Sequence, residues 1–76
     1  MTGRHSVGLA DLDLLARRIL EGTLENRPGC VLEISNLAWS QNSLEAQHRF
    51  EDACEGHGIV FRVVQQLTAV DWVCPP

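Results

Sequence analysis

Two short apolar runs separated by a helix-length segment constrain the fold more than any other feature of the chain. Residues 30–34 and 59–64 are rich in β-branched side chains, which is typical of strands. Between them, apolar residues recur at helical spacing, which predicts a helix over residues 43–55. Because two strands joined through such a helix normally lie parallel with a right-handed crossover, the pattern predicts a βαβ unit over residues 30–64.

A first helix is predicted ahead of this unit, over residues 11–26. Its apolar stripe includes Leu12, Leu15 and Ile19 at the spacing of an amphipathic helix. Asp11 stands where a cap or a first-turn anion belongs. The helix should end before the Pro28-Gly29 turn, because the residue before a proline avoids the helical conformation.

The two ends of the chain complete a single small domain over residues 1–76. Residues 65–73 fit a last short helix and residues 74–76 a tail, while residues 1–8 form either a flexible segment or an edge strand. The expected fold class is therefore α/β, with a helix followed by the βαβ unit and a short, mainly parallel sheet.

The acidic charge balance excludes one class of partner. The 76 residues carry ten Asp and Glu against six Arg, a formal net charge of −4. A protein that binds the phosphate backbone needs a basic face, so we expect no nucleic-acid partner. Such a short chain builds one small core, and no nucleophile stands at a telling spacing from a base. We therefore predict a binding protein without a cofactor, and not an enzyme.

Membrane and redox signals favour the cytoplasm. No stretch approaches the ~18 apolar residues of a membrane span, and residues 1–6 lack the apolar core of a signal peptide. Cys30, Cys54 and Cys74 are odd in number and widely spaced, which indicates reduced thiols in a cytosol, two of them packed as small hydrophobes. We expect a cytoplasmic protein that does not insert into membranes.

Three segments together resemble a known family. Residues 10–14, Ala-Asp-Leu-Asp-Leu, resemble the Gly-Glu-Leu-Asp-like entry to the first helix of STAS domains, the domains of sulphate transporters and anti-sigma factor antagonists. Residues 31–37, Val-Leu-Glu-Ile-Ser-Asn-Leu, are similar to the family's Val-Leu-Asp-Leu-Ser-Gly-like strand end. The resemblance spans residues 7–73 and implies a STAS-like fold with a regulatory, protein-binding role.

The family's Asp-Ser-x-Gly turn, whose Ser is phosphorylated in the antagonists, corresponds to residues 40–44 here. Aligned without a gap, Gln41 replaces the Asp, Asn42 the Ser and Leu44 the Gly, whereas a one-residue deletion places Ser43 at the phosphosite. Since this turn and the helix after it meet the partner in the family, the resemblance implies a partner-binding face. Its predicted residues are Trp39, Ser40, Gln41, Asn42, Ser43, Glu45, His48 and Arg49, with Ser43 as the candidate for modification.

Other interpretations of these residues stay open. Asn42 or Ser43 can simply cap the second helix, and Asn42-Ser43-Leu44 is also similar to the attachment site of an acyl or peptidyl carrier protein, with Ser43 as the attachment residue. Trp39 is either an exposed anchor or a core residue, whereas we expect Trp72 in the core.

Two further predictions concern metals and partners. His48, Cys54 and His57 lie close in sequence, but helical spacing places Cys54 in the apolar stripe and His48 on the other face, so we predict no metal site. The main functional prediction is a non-catalytic regulatory module that binds a protein partner, with an open sheet edge that a second copy could cover. The alternative is a small acidic inhibitor or accessory protein that occupies a basic site on a larger target.

Overall fold

A computed structural model of the protein describes residues 3–65 and 69–76. Within them the chain forms a small α/β domain, as predicted. The elements in chain order are β1 (Gly3–Ser6), α1 (Leu12–Glu21), β2 (Val31–Ser35), α2 (Asn36–Gln41), α3 (Leu44–Gly56), β3 (Phe61–Val64) and β4 (Val70–Cys74).

The strands form one sheet in the order β1-β4-β2-β3. β2 and β3 are parallel, with Leu32 opposite Phe61, and α3 lies between them in the chain, so the predicted βαβ unit is confirmed. β4 lies between β1 and β2 and runs antiparallel to both. The sheet is therefore mixed, because these two antiparallel pairings join the single parallel one that the sequence pattern predicted.

The predicted last helix over residues 65–73 is replaced by β4, although residues 66–68 of that prediction lie outside the described residues. Val70 and Trp72 face the core, and the side chain between them, Asp71, pairs with Arg4 on the other face of the sheet. This alternation has the period of a strand. Cys74, predicted in a tail, is the last residue of β4.

One helix end differs from the prediction and one helix was not predicted, each for a local reason. α1 ends at Glu21 because Gly22 takes a left-handed conformation, with φ 74°, and its N–H donates to the carbonyls of Arg18 and Ile19. α2 was not predicted, and it begins where the Ser35 hydroxyl accepts a hydrogen bond from the N–H of Ala38 at 3.1 Å. α3 begins after Ser43, as predicted.

The core lies between the helices and one face of the sheet. Phe50 of α3 is fully buried and contacts Phe61 of β3 edge-on, with ring centroids 4.9 Å apart. Trp72 is 3% exposed, which confirms its predicted place in the core. The other buried apolar residues are Leu12, Leu15, Ala16, Ile19, Leu32, Ile34, Ala38, Ala46, Ala53, Cys54 and Val70.

Cys30 and Cys74 form a disulfide, with Cα atoms 4.3 Å apart. They continue the β2–β4 register by one position beyond the pair Val31 and Val73. The prediction of reduced thiols is therefore wrong for these two residues. β4 brings them together by pairing with β2, and the spacing of the cysteines along the sequence does not indicate that pairing. Cys54 alone is a free cysteine among the described residues, and it packs as a small hydrophobe.

The opposite face of the sheet carries an ion-pair network. Glu33 of β2 and Asp71 of β4 lie directly opposite each other and both are buried. Arg4 of β1 bridges them, at 3.2 Å from Glu33 and 2.9 Å from Asp71, and these hydrogen bonds, that to Asp71 most strongly, raise the pKa of Arg4. Arg62 of β3 donates to Glu33 at 2.6 Å. One charged side chain from each strand thus ties the sheet together.

No helix in the described part of the chain is long and apolar enough to cross a membrane.

Candidate functional site

The predicted partner-binding residues lie where α2 ends, the chain turns and α3 begins. We call this surface the α2–α3 corner and define it as Leu37, Trp39, Ser40, Gln41, Ser43, Leu44, Glu45 and His48. Of the predicted residues, Ser40, Gln41, Ser43, Glu45, His48 and Arg49 are exposed, whereas Trp39 and Asn42 are half-buried. Asn42 and Arg49 are left out of the corner because both side chains are used inside the fold.

The side chain of Asn42 connects the start of α1 to the end of α2 through hydrogen bonds. Its Oδ1 accepts a hydrogen bond from the N–H of Leu12 at 3.0 Å, which satisfies a free donor in the first turn of α1. Its Nδ2 donates to the carbonyls of Ala10 at 3.0 Å and Ala38 at 2.7 Å. The side chain is occupied by these three bonds, so Asn42 positions the corner and offers little to a partner.

Ser43 is the N-cap of α3. Its Oγ accepts a hydrogen bond from the N–H of Ala46 at 3.1 Å, and the backbone of Ser43 is extended, as a cap requires. The capping interpretation is therefore confirmed, while modification of Ser43 stays a prediction. Ser43 is exposed, whereas the side chain of Asn42 before it is held inside the fold.

Trp39 joins the corner to the core. Its ring stacks on Phe61 with centroids 5.7 Å apart and meets Phe50 edge-on at 6.4 Å. Gln47 of α3 donates from Nε2 to the Trp39 carbonyl at 2.9 Å. The half-buried indole therefore lies at the boundary between core and surface. Both the side chain and the backbone carbonyl of Trp39 contact α3, which holds α2 against it.

Two of the predicted charged or titratable residues have different roles: Arg49 connects two helices, and His48 lies at the surface. Arg49 donates to Asp13 of α1 at 2.7 Å and to Glu45 at 3.2 Å, and these contacts, that to Asp13 most strongly, raise the pKa of Arg49. His48 lies 3.5 Å from Glu51, one helical turn on, with both side chains in solvent. Arg49 thus joins α3 to α1, and His48 is available at the surface.

Two residues of the corner were missed by the sequence analysis. Leu37 on α2 and Leu44 at the start of α3 are each 68% exposed, more than any other large apolar residue of the described chain. Their signal in the sequence was their place outside the apolar stripes, since a core leucine should fall within one. Apolar side chains that a partner can bury form the centre of most protein interfaces, so these two exposed leucines are the apolar part of the candidate site.

The residues considered for metal or nucleophilic chemistry are not brought together. His57 Nδ1 lies 3.2 Å from the Ala53 carbonyl on its own helix. Cys54 is 1% exposed, and burial raises its pKa to about 12, so its thiolate is not available at neutral pH. No group of three or more metal-ligand side chains occurs in residues 3–65 and 69–76.

The fold and the corner define a class, a small α/β domain with a mixed four-stranded sheet and a rigid surface corner that carries exposed leucines. No family model, curated protein or solved structure matches the chain. The STAS resemblance therefore depends on the sequence segments alone, and what it implies about function is a hypothesis.

Proposed function

We propose that this protein is a non-catalytic regulatory module that binds a protein partner through the α2–α3 corner. The observation that carries the proposal is the exposure of two leucines, Leu37 on α2 and Leu44 at the start of α3, each 68% exposed. Apolar surface in water is unfavourable, and burial of these two side chains against a partner would be a favourable term in binding.

The rigidity of the corner supports the same function. The hydrogen bonds of Asn42, the Ser43 cap and the packed indole of Trp39 anchor the helices that carry the two leucines, α2 and the first turn of α3. A preformed surface loses little conformational entropy on binding, so more of the contact energy appears as affinity. The STAS resemblance implies a partner surface in the same region, and the exposure of the two leucines is an observation that does not depend on that resemblance.

The acidic inhibitor is the second candidate, and one observation favours it. Glu51, Asp52 and Glu55 are all exposed on the outer face of α3. They could occupy a basic site on a larger target, in which case binding would weaken steeply with salt. The four-stranded sheet excludes the carrier-protein hypothesis, because acyl and peptidyl carrier proteins are four-helix folds without a sheet.

Compartment and self-association remain predictions. A cytoplasmic location was inferred in part from reduced thiols, and the Cys30–Cys74 disulfide bears against it because such bonds are rare in the cytosol. A homodimer would cover the outer edge of β1 or β3, with which no described strand pairs.

The test is affinity capture from the source lysate at low and high salt, with four forms of the protein. Leu37→Ser with Leu44→Ser should lose a partner that the parent captures, while Leu20→Ser, at a leucine of α1 that is 65% exposed, should retain it. Far-UV circular dichroism of all forms should be unchanged. Capture by the corner variant at the parent's level would refute the proposal, and loss in both variants would show nonspecific hydrophobic adsorption.

The fourth form separates the two candidates. Replacement of Glu51, Asp52 and Glu55 by Gln should leave capture through the corner intact. If this form instead loses the partner, and the parent's capture disappears at high salt, the acidic inhibitor is the correct interpretation.

A further inference from the structure

The outer edge of β3 carries a row of backbone groups that the sheet does not use. The N–H of Leu32 in β2 donates to the carbonyl of Val60 at 2.9 Å, so the backbone of Val60 and of every second residue after it faces β2. The residues between them on β3, Phe61 and Val63, therefore direct their N–H and carbonyl groups away from β2. No described strand pairs with that side of β3.

The side chains of β3 do not protect this edge. Proteins commonly keep other chains away from a sheet edge with a charged side chain, and the one charged residue of β3 is Arg62. Its Nε and Nη2 donate to Oε2 of the buried Glu33 at 2.8 and 2.6 Å, which draws the guanidinium across the sheet toward β2. Val60 and Val63, in contrast, are 62% and 38% exposed. The edge of β3 is therefore both unpaired and apolar.

The other edge of the sheet, on β1, offers less to a second chain. The N–H of Val7 donates to the carbonyl of Val70 at 3.0 Å, so Val7 faces β4 and the backbone of Ser6 before it faces outward. The exposed side chains of β1 are Arg4, His5 and Ser6, and all three are polar. Pairing at β1 would therefore gain backbone hydrogen bonds without the burial of apolar surface.

A second copy of the chain fits the β3 edge because the edge is complementary to itself. Two β3 strands that run antiparallel about a twofold axis can pair with Val63 opposite Val63, which places Phe61 opposite Gln65 and Arg62 opposite Val64. Phe61 and Val63, the two residues of β3 that face outward, then both obtain hydrogen-bond partners. The neighbouring register would place Arg62 opposite Arg62, and like charges directly opposite each other are unfavourable.

We propose that the protein forms a twofold-symmetric dimer in which two β3 edges pair antiparallel, with Val63 of each copy at the axis. The two sheets then form one continuous sheet of eight strands, four from each copy. The pairing buries the exposed parts of the two Val63 side chains against each other, which favours association. The dimer is independent of the proposed partner surface, because no residue of the α2–α3 corner belongs to β3.

The test is sedimentation velocity of the oxidised protein from micromolar to millimolar concentration, with far-UV circular dichroism to check that each variant is folded. We expect the parent to pass from monomer to dimer within this range. Val63→Lys places two like charges at the axis and should raise the dissociation constant roughly tenfold or more. Ser6→Lys adds the same charge at the β1 edge and should leave the dissociation constant unchanged, as should Leu37→Ser with Leu44→Ser in the corner.

Opposite charges at residue 63 test the register. Val63→Glu alone should dimerise as weakly as Val63→Lys, whereas an equimolar mixture of the two variants should form a heterodimer, because opposite charges then lie across the axis. The proposal would be overturned by a parent that is monomeric at every concentration, by a dissociation constant of the parent's size for Val63→Lys, or by a mixture that associates no better than either variant. A dimer that Ser6→Lys weakens and Val63→Lys does not would assign the contact to β1 and would equally overturn it.

Discussion

Reduction of the Cys30–Cys74 disulfide should remove about half of the free energy of unfolding of this domain. The bond joins residues 44 positions apart, and closing a loop of that length lowers the entropy of the unfolded chain by an amount worth ~4 kcal/mol at room temperature. A single core in a chain of 76 residues supplies only ~3–5 kcal/mol by itself. The two quantities are of the same size and add in the oxidised protein, so the reduced protein should keep about half of the free energy of unfolding and should unfold at a clearly lower urea concentration.

The assay is urea denaturation followed by far-UV circular dichroism, with and without a phosphine reductant. The variant Cys30→Ser with Cys74→Ser should reproduce the reduced parent without reductant. Cys54→Ala is the matched control, since its disulfide is intact and its response to reductant should equal that of the parent. Thiol titration in denaturant should find one free thiol before reduction and three after it.

The reasoning would be refuted by a loss below ~1 kcal/mol on reduction, because the loop-closure term would then be absent or offset. Three titratable thiols in the purified, unreduced protein would show that the bond does not form. Only the second result would return Cys30 and Cys74 to the reduced state that their spacing predicted.

Three further predictions concern groups held inside the fold. Asn42→Ala removes three hydrogen bonds and should destabilise the domain by ~2–3 kcal/mol in urea denaturation, whereas exposed Asn36→Ala should change stability little. Burial raises the pKa of Cys54 from 9.0 to about 12, so between these pH values the folded state keeps a proton that the unfolded state loses. The free energy of unfolding should therefore be full below about pH 9 and fall above it by up to ~1.4 kcal/mol per pH unit. This slope should vanish in Cys54→Ala. Arg62→Gln leaves the buried Glu33 with Arg4 as its cation and should cost ~1–3 kcal/mol by thermal denaturation; Glu33→Gln in the same chain should recover part of the loss, and additivity of the two changes would contradict the coupling.

The surface corner was predictable in position but not in detail. The capping residue at the start of α3 and the polar turn before it are local signals, and Ser43 caps as they indicate. Leu37 and Leu44 were overlooked because a place outside the apolar stripes is only a weak local signal, and their exposure depends on what packs over them in the folded chain. Asn42 had been assigned to partner binding because its contact with Leu12, 30 residues away, is not visible in sequence.

What the sequence by itself determined is the βαβ unit and the two longer helices. Their apolar spacing specifies which side of each element is buried, and the crossover rule orients β2 and β3. Periodicity of this kind is a local property, so it can be read without knowledge of the rest of the chain. It also explains why the placement of Cys54 in an apolar, core-facing stripe is correct.

Only the tertiary structure decided the position of β4, and with it every feature that depends on distant pairs. β4 enters the middle of the sheet, where it brings Cys74 to Cys30, Asp71 to Glu33, and Trp72 into the core. The segment around β4 is too short to choose between helix and strand by its own periodicity. Pairing with both β1 and β2 makes that choice, because the strand's backbone hydrogen bonds and buried side chains are satisfied only there.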